Sequence, residues 1–304
     1  MANTMAAPVA NDFSLAAKYL PLLDEIYKRG SLTAILDTAE ERVRWIGANT
    51  VYLYKPEIQG LGNYDRNAGF VPGSVENEWE ALTLNYERGR SFSVDVMDND
   101  ETVGMAFGSL LGEFERTQAI PELDAFRFAT YAADAGTKVT GSIAGENVAD
   151  LIQTAEAEMD DKEVPYEGRI LYVSPTAYKT LKGDITRFTE NGDPDVNGNI
   201  EIYDDMRVIR VPKGRFNTLI TLNAPTDATG AGGYTAAGAD INFMIVHPSA
   251  IVQVTKHLVP RIFAPEVNQE ADAWKLNYRV TGGAWVKANK VNGIYLHAGA
   301  AQSE

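Results

Sequence analysis

The 304-residue chain contains no cysteine, and this absence excludes several kinds of chemistry. Without a thiol there is no disulfide, no thiolate metal site and no cysteine nucleophile. Histidine is scarce as well, since only His247, His257 and His297 could transfer protons near neutral pH. None of the three has a second ligand or base at helical spacing. We therefore interpret all three as capping or packing residues.

Long apolar runs and positive charge are also lacking. No segment approaches the roughly 18 consecutive apolar residues of a membrane helix. The N-terminus does not have the basic-then-apolar order of a signal peptide. Acidic residues outnumber basic ones by 42 to 27, and a surface of this charge repels nucleic acid and anionic membranes. We expect a folded protein made in the cytosol, with no membrane partner and no sequence-specific nucleic-acid binding.

Catalytic motifs are missing from the sequence. The glycine-rich stretch at 230–233 does not complete a dinucleotide-binding motif, because Thr235 stands where the last glycine would be. No phosphate loop, zinc-protease helix motif or nucleophile elbow occurs. The sequence therefore predicts no enzymatic activity, no catalytic residues and no cofactor.

The patterns that are present mix strands with helices and predict an α+β fold. Alternation and short apolar runs predict strands, and 3.6-residue periodicity predicts helices. Small residues at 223–239 are typical of a loop. The predicted helices lie at 13–29, 98–114, 122–135, 147–161 and 176–181, and the predicted strands at 50–55, 78–96, 169–175, 206–212, 241–248, 250–257, 274–288 and 293–297.

The first two strands flank a stretch rich in glycine and predict an extended hairpin. Leu82, Leu84 and Tyr86 alternate with polar residues, and Trp79 falls on the other face. A lone hairpin is marginally stable in water, so its apolar face must lie against something else. We predict that these four residues form an assembly interface.

Three glycines recur at every fourth position of the helix that Asp98 would cap, namely Gly104, Gly108 and Gly112. Each costs roughly 1 kcal/mol relative to alanine in a helix interior, so the register needs an explanation. Close approach of another backbone is one explanation, and helix bending and neutral drift are the others. We add the three glycines to the predicted assembly interface.

One acidic loop has the spacing of a calcium site. Asp193, Asp195, Asn197 and Asp204 provide oxygen ligands near the turn residue Gly198. However, the last position is Asp instead of the longer Glu, and neither flank reads as a helix. The pattern favours a plain turn, with a calcium loop as the alternative.

Residues 63–102, NYDRNAGFVPGSVENEWEALTLNYERGRSFSVDVMDNDET, resemble the extended loop and spine-helix entry of tailed-bacteriophage major capsid proteins with the Hong Kong-97-like fold. The resemblance continues through RILYVSPTAYKTL, MRVIRVPKGRF and the segment from MIVHPSA to NGIYLH, and covers roughly residues 40–298. It implies an N-terminal arm (1–46), an extended loop (47–92), a peripheral domain with the spine helix (93–138), an axial domain (139–249) and peripheral strands with a C-terminal return (250–304).

The same resemblance implies a function and partners. Members of the family form pentamers and hexamers that tile an icosahedral head shell around double-stranded DNA, and their spine helix bends during shell maturation. It implies a virion protein that assembles in the host cytoplasm, with a separate scaffold protein, a portal and decoration proteins as further partners. Two alternatives stay open: the shell of an encapsulin-like nanocompartment and a calcium-dependent binding domain.

Overall fold

The structure is a computed structural model of the single chain. It describes residues 30–38, 44–46, 49–58, 60–61, 64, 66, 75–96, 112–145, 147–188, 200–224, 232–258, 260–269 and 271–300. The predicted helix at 13–29 and most of the predicted helix at 98–114 lie outside the described residues.

Strands dominate the described part of the chain. The helices are α1 (Ile120–Ala133), α2 (Val148–Asp161) and α3 (Pro175–Phe188). The strands are β1 (Arg44–Ile46), β2 (Thr50–Ile58), β3 (Val75–Thr83), β4 (Tyr86–Asp95), β5 (Thr137–Thr140), β6 (Ile170–Val173), β7 (Ile202–Tyr203), β8 (Met206–Arg210), β9 (Asn217–Leu222), β10 (Tyr234–Val246), β11 (Ile251–Leu258), β12 (Arg261–Phe263), β13 (Ala273–Val286) and β14 (Ile294–Ala298).

The largest sheet is built from both halves of the described chain. Its order is β5-β14-β10-β6-β8-β7, and β9 pairs with another part of β10. β14 runs parallel to β5, whereas β10 is antiparallel to β14 and to β6. β14 therefore lies inside the sheet, between β5 and β10.

Helices cover both faces of this sheet. Alternate residues of β6 show the arrangement: Ile170 and Tyr172 pack with α1, whereas Leu171 and Val173 pack with α2 and α3. All four residues are buried. A short strand covered on both faces has this continuously apolar sequence because neither side meets water.

A second sheet of four strands is organised around β13. β4 pairs with β13 from Tyr86↔Gly282 to Asp95↔Ala273. β11 and β12 pair along the opposite edge of β13. We call these two sheets with their helices the body. The third sheet, β1-β2-β3, contains the hairpin, which we define as β2, β3 and the residues between them.

The helix before Pro121 does not stop at that residue. A π-helix at Glu115–Ala119 runs directly into α1, and Pro121 lies in the first turn of α1. Proline cannot donate a backbone hydrogen bond and crowds the carbonyl four residues earlier, and a π-helical turn widens the helix there. The expected second helix thus continues the first one without a break.

A buried carboxylate fixes the first described segment to the body. Asp124, on α1, is fully buried and accepts hydrogen bonds from the hydroxyls of Ser31 and Thr33 at 2.7 Å each. The backbone N–H of Leu32 donates to the same carboxylate at 3.0 Å, and Arg215 pairs with it at 3.3 Å. A buried charge needs this number of donors to offset its lost hydration.

Neighbouring polar side chains extend the attachment to the four-stranded sheet. The amide of Gln253, on β11, donates to the carbonyl of Thr33 at 2.6 Å and to Asp37 at 2.8 Å, and it accepts from the hydroxyl of Tyr131. Arg127 is buried and pairs with Asp37 at 3.2 Å. Part of the predicted N-terminal arm is therefore held inside the subunit.

One sequence prediction about a loop needs correction. Residues 223–239 are not all loop, because β10 begins at Tyr234 and pairs with β9 through its small residues. Gly238 has a φ of 73°, where the β9–β10 register shifts. The short parallel strand β5 and the strand β9 were not expected from the sequence at all.

Candidate assembly surface

The root of the hairpin is packed against the body. Val51 is fully buried and lies in one apolar cluster with Val254 of β11. Leu82, Leu84 and Trp285 pack around this pair and are half-buried. The hairpin is thus attached to its own subunit at one end.

The register of the hairpin separates two unlike faces. Directly opposed residues of antiparallel strands share a face, and Leu82 pairs with Val51 whereas Trp79 pairs with Tyr54. Beyond the root, the backbone register in line with Leu82 pairs Lys55 with Glu78 and Glu57 with Glu76. The register in line with Trp79 pairs Tyr52 with Ala81, Tyr54 with Trp79, Pro56 with Asn77 and Ile58 with Val75.

Exposed apolar residues are found along the hairpin. Trp79 is 47% exposed, and Leu61 and Tyr64 near the tip are also exposed. Large exposed side chains on a narrow two-stranded ribbon are typical of an interaction surface.

Tyr86 was expected to be exposed in the isolated subunit, and this expectation is wrong. The side chain is 2% exposed, packs against Phe126 at a ring distance of 4.9 Å and donates to Glu122 at 3.1 Å. The alternation of Leu82 and Leu84 continues to Tyr86. However, the chain leaves the hairpin between Leu84 and Tyr86 and enters the four-stranded sheet as β4. Tyr86 is a core residue.

Of the three glycines predicted on the spine helix, Gly104 and Gly108 lie outside the described residues. Gly112 begins the described helix and is half-buried. Two residues later, Phe114 packs edge-on against Phe92 and Tyr278, at ring distances of 4.8 and 5.3 Å. The end of this helix is therefore held against β4 and β13, while an interface role for the glycines stays a prediction.

The predicted calcium loop is described only at its end. Asp193, Asp195 and Asn197 lie outside the described residues, and Asp204 occupies the turn between β7 and β8. Asp204 and Asp205 have φ values of 47° and 58°, a conformation that aspartate tolerates in tight turns. In the part of the chain that the structure describes, no group of three or more His, Cys, Asp or Glu could hold a metal ion.

Asp204 has an electrostatic effect on α2. Partial burial and, to a smaller extent, the nearby Asp204 carboxylate raise the pKa of the Glu156 carboxyl to about 8. Two carboxylates in proximity favour a shared proton over two charges. Glu156 is therefore largely protonated at neutral pH.

The histidines have the structural roles predicted for them where the structure describes their side chains. His247 accepts a hydrogen bond from the backbone N–H of Ser249 at the start of a 3-10 helix. His297 is buried and stacks on Phe243 at a ring distance of 4.9 Å. Burial lowers the pKa of both imidazoles, so each is neutral at pH 7. No helix among the described residues is long and apolar enough to span a membrane.

Sequence reasoning missed the side chains that orient these parts. Asp124 gathers donors from a segment more than 90 residues away, and Asn85 bonds to Ala284, which lies 199 residues further along the chain. Neither residue belongs to a local motif.

Comparison with solved structures finds proteins with a similar fold. A chain from Mycobacterium phage Che8 is similar with a TM-score of 0.56 and 18% identity, over 88% of this chain and 90% of that one. A chain from the bacteriophage PhiM1 mature capsid is similar at 0.56 and 13%, over 83% and 82%. A virus-like particle from Pyrococcus furiosus matches at 0.53 and 11%, over 95% of this chain and all of that chain.

The fold is therefore that of tailed-phage capsid proteins, and the predicted α+β class is confirmed. In particular, it is the Hong Kong-97-like fold of the major capsid protein that residues 63–102 resemble. No protein-family model and no curated protein matches the sequence. The division into five regions stays a prediction.

Proposed function

We propose that this chain is the major capsid protein of a tailed phage, forming pentamers and hexamers that tile an icosahedral head shell around double-stranded DNA. The observation that supports it best is the likeness in fold to a mature phage capsid over more than four-fifths of both chains. The role is structural and requires no catalytic residue or cofactor. We further propose assembly in the host cytoplasm, with separate scaffold, portal and decoration proteins as partners.

The hairpin provides the subunit contact in this proposal. Its Leu82 face is partly covered by its own subunit at the root and charged further out, whereas its Trp79 face carries aromatic and aliphatic residues along its length. We propose that the Trp79 face lies on a neighbouring copy of the chain. Burial of this ribbon would then stabilise the shell and not the isolated subunit.

Replacing residues 58–76 by a short Gly-Ser turn tests the proposal. We expect a folded subunit with near-native helix content that forms no shells, because the body keeps its own core. Sedimentation and electron microscopy of the parent and the variant provide the measurement. Shells that persist without the tip would overturn the assembly role of the tip, and a parent protein that stays monomeric would overturn the capsid function itself.

An encapsulin-like compartment is the second candidate, since the virus-like particle from Pyrococcus furiosus matches over its whole length. The two functions differ in their cargo. Purified particles that protect DNA from nuclease support the phage capsid, whereas particles that enclose a protein and no DNA support the compartment.

A further inference from the structure

The chain passes from the hairpin to the body within two residues. β3 ends at Thr83 and pairs with β2, whereas β4 begins at Tyr86 and pairs with β13. Leu84 and Asn85 connect β3 to β4. Their contacts therefore contribute to the angle at which the hairpin leaves the body.

The side chain of Asn85 binds the edge of the body sheet as a peptide group would. Its Nδ2 donates to the carbonyl oxygen of Ala284 at 3.0 Å, and its Oδ1 accepts from the N–H of Ala284 at 3.2 Å. Ala284 is fully buried, so both of its backbone groups need a partner. The amide continues the ladder of β4 and β13 by one step beyond the Tyr86↔Gly282 pair.

Two further contacts hold the same corner. The N–H of Leu84 donates to the carbonyl of Asn49 at 2.9 Å, which closes the root of the hairpin. Trp285 lies directly over Gly283, because a Cβ built on that glycine would come within 2.1 Å of the indole ring. The ring also belongs to the apolar cluster around Val51. An amide clamp and an apolar cluster therefore flank the corner on either side.

We propose that Asn85 is a positioning residue that fixes the angle between hairpin and body, and so presents the hairpin to the neighbouring copy in one orientation. This inference rests on the proposed function. Pre-organising a binding segment removes the entropy cost of ordering it when it binds. Asn85 is itself exposed, so replacing it removes little buried surface.

The absence of cysteine makes the angle measurable. Cysteines introduced at Ala81 on the hairpin and at Lys179 on α3 would be the only two thiols, and both positions are exposed. Spin labels at these thiols report the distance distribution between hairpin and body in dilute, unassembled subunits. We expect a single narrow distribution for the parent and a clearly broadened one for Asn85→Ala and Asn85→Asp.

Asn277→Asp is the matched control. Asn277 lies on β13 and accepts a hydrogen bond from Ser91 at 2.7 Å, within the same sheet but away from the corner. The control should keep the narrow distribution. For the Asn85 variants we also expect a modestly lower melting temperature, because Ala284 loses hydrogen-bond partners. We expect about a tenfold lower shell yield, because the hairpin must be ordered during assembly.

Each outcome decides the inference. An unchanged distance distribution in both Asn85 variants would overturn it, whatever the shell yield. If both variants fail to fold, Asn85 stabilises the whole subunit, and the positioning role is likewise overturned. A parent that shows the narrow distribution but forms no shells would instead count against the proposed function and leave the role of Asn85 in fixing the angle intact.

Discussion

The body and the hairpin use the same alternation of strand side chains with opposite results. In the body, both faces of β6 are covered, so each of its residues is buried within its own subunit. Among the hairpin side chains that the structure describes, Val51 and Leu53 at the root are buried, whereas Trp79 further out is 47% exposed. The comparison teaches that folding energy resides mainly in the body, and under the proposed function the exposed part of the hairpin contributes its energy to assembly.

The largest difference in subunit stability should come from replacing one aromatic residue by alanine in each region. Phe128 is fully buried and packs edge-on against Tyr172 and Phe216, at ring distances of 5.0 and 5.1 Å. We expect Phe128→Ala to lower the free energy of unfolding by about 3–5 kcal/mol. Trp79→Ala should cost less than about 1 kcal/mol and abolish shells.

Urea denaturation measures the free energy of unfolding of both variants, and sedimentation measures shell formation. The comparison between body and hairpin fails if Trp79→Ala destabilises the subunit as much as Phe128→Ala does.

A smaller effect is expected from the buried carboxylate that holds the first described segment. Asp124→Asn keeps the shape but removes the charge that its donors surround, and we expect a loss of about 2–3 kcal/mol. Faster hydrogen exchange at the amides of residues 32–38 would locate the change. Glu80→Gln on the hairpin is the control and should leave both measurements unchanged.

The smallest effect concerns the pH dependence of the free energy of unfolding. The folded pKa of Glu156 is about 8, above its ordinary value of 4.5, so the stabilisation from its proton is present below pH 4.5 and is lost as the pH rises through 8. Glu156→Gln should flatten the unfolding free energy over this window and leave the variant more stable than the parent at pH 9.

Urea titrations at pH 5, 7 and 9 test this expectation, with Glu158→Gln on the same helix as the control. If the Glu156 variant loses stability with pH as steeply as its parent does, the assignment to this carboxyl is wrong.

Local patterns in the sequence predicted the body better than its connections. The predicted helix at 147–161 corresponds to α2, and the structure adds that the side chain of Asn147 caps it by accepting from the N–H of Ala149 at 3.1 Å. The strand at 169–175 was found because both of its faces are apolar. The start of β10 was missed, because its small residues acquire strand structure only by pairing with β9.

The assembly surface was predicted in part for a similar reason. The hairpin and its exposed Trp79 follow from alternation and from the glycine-rich stretch between the strands. Alternation cannot show that the chain changes sheets at Asn85, so Tyr86 was placed on the wrong surface. The partner of Asn85 is 199 residues away, and no local pattern carries that information.

The position of β13 and β14 has a consequence for the timing of synthesis. β4 has no sheet partner until β13 is made, and the largest sheet has a gap between β5 and β10 until β14 is made. At about 5–20 residues per second, the ribosome needs roughly 10–40 s to travel from β4 to β13. During that interval the nascent chain has neither sheet complete, so the full pairing of the body is reached only after its last strands have been made.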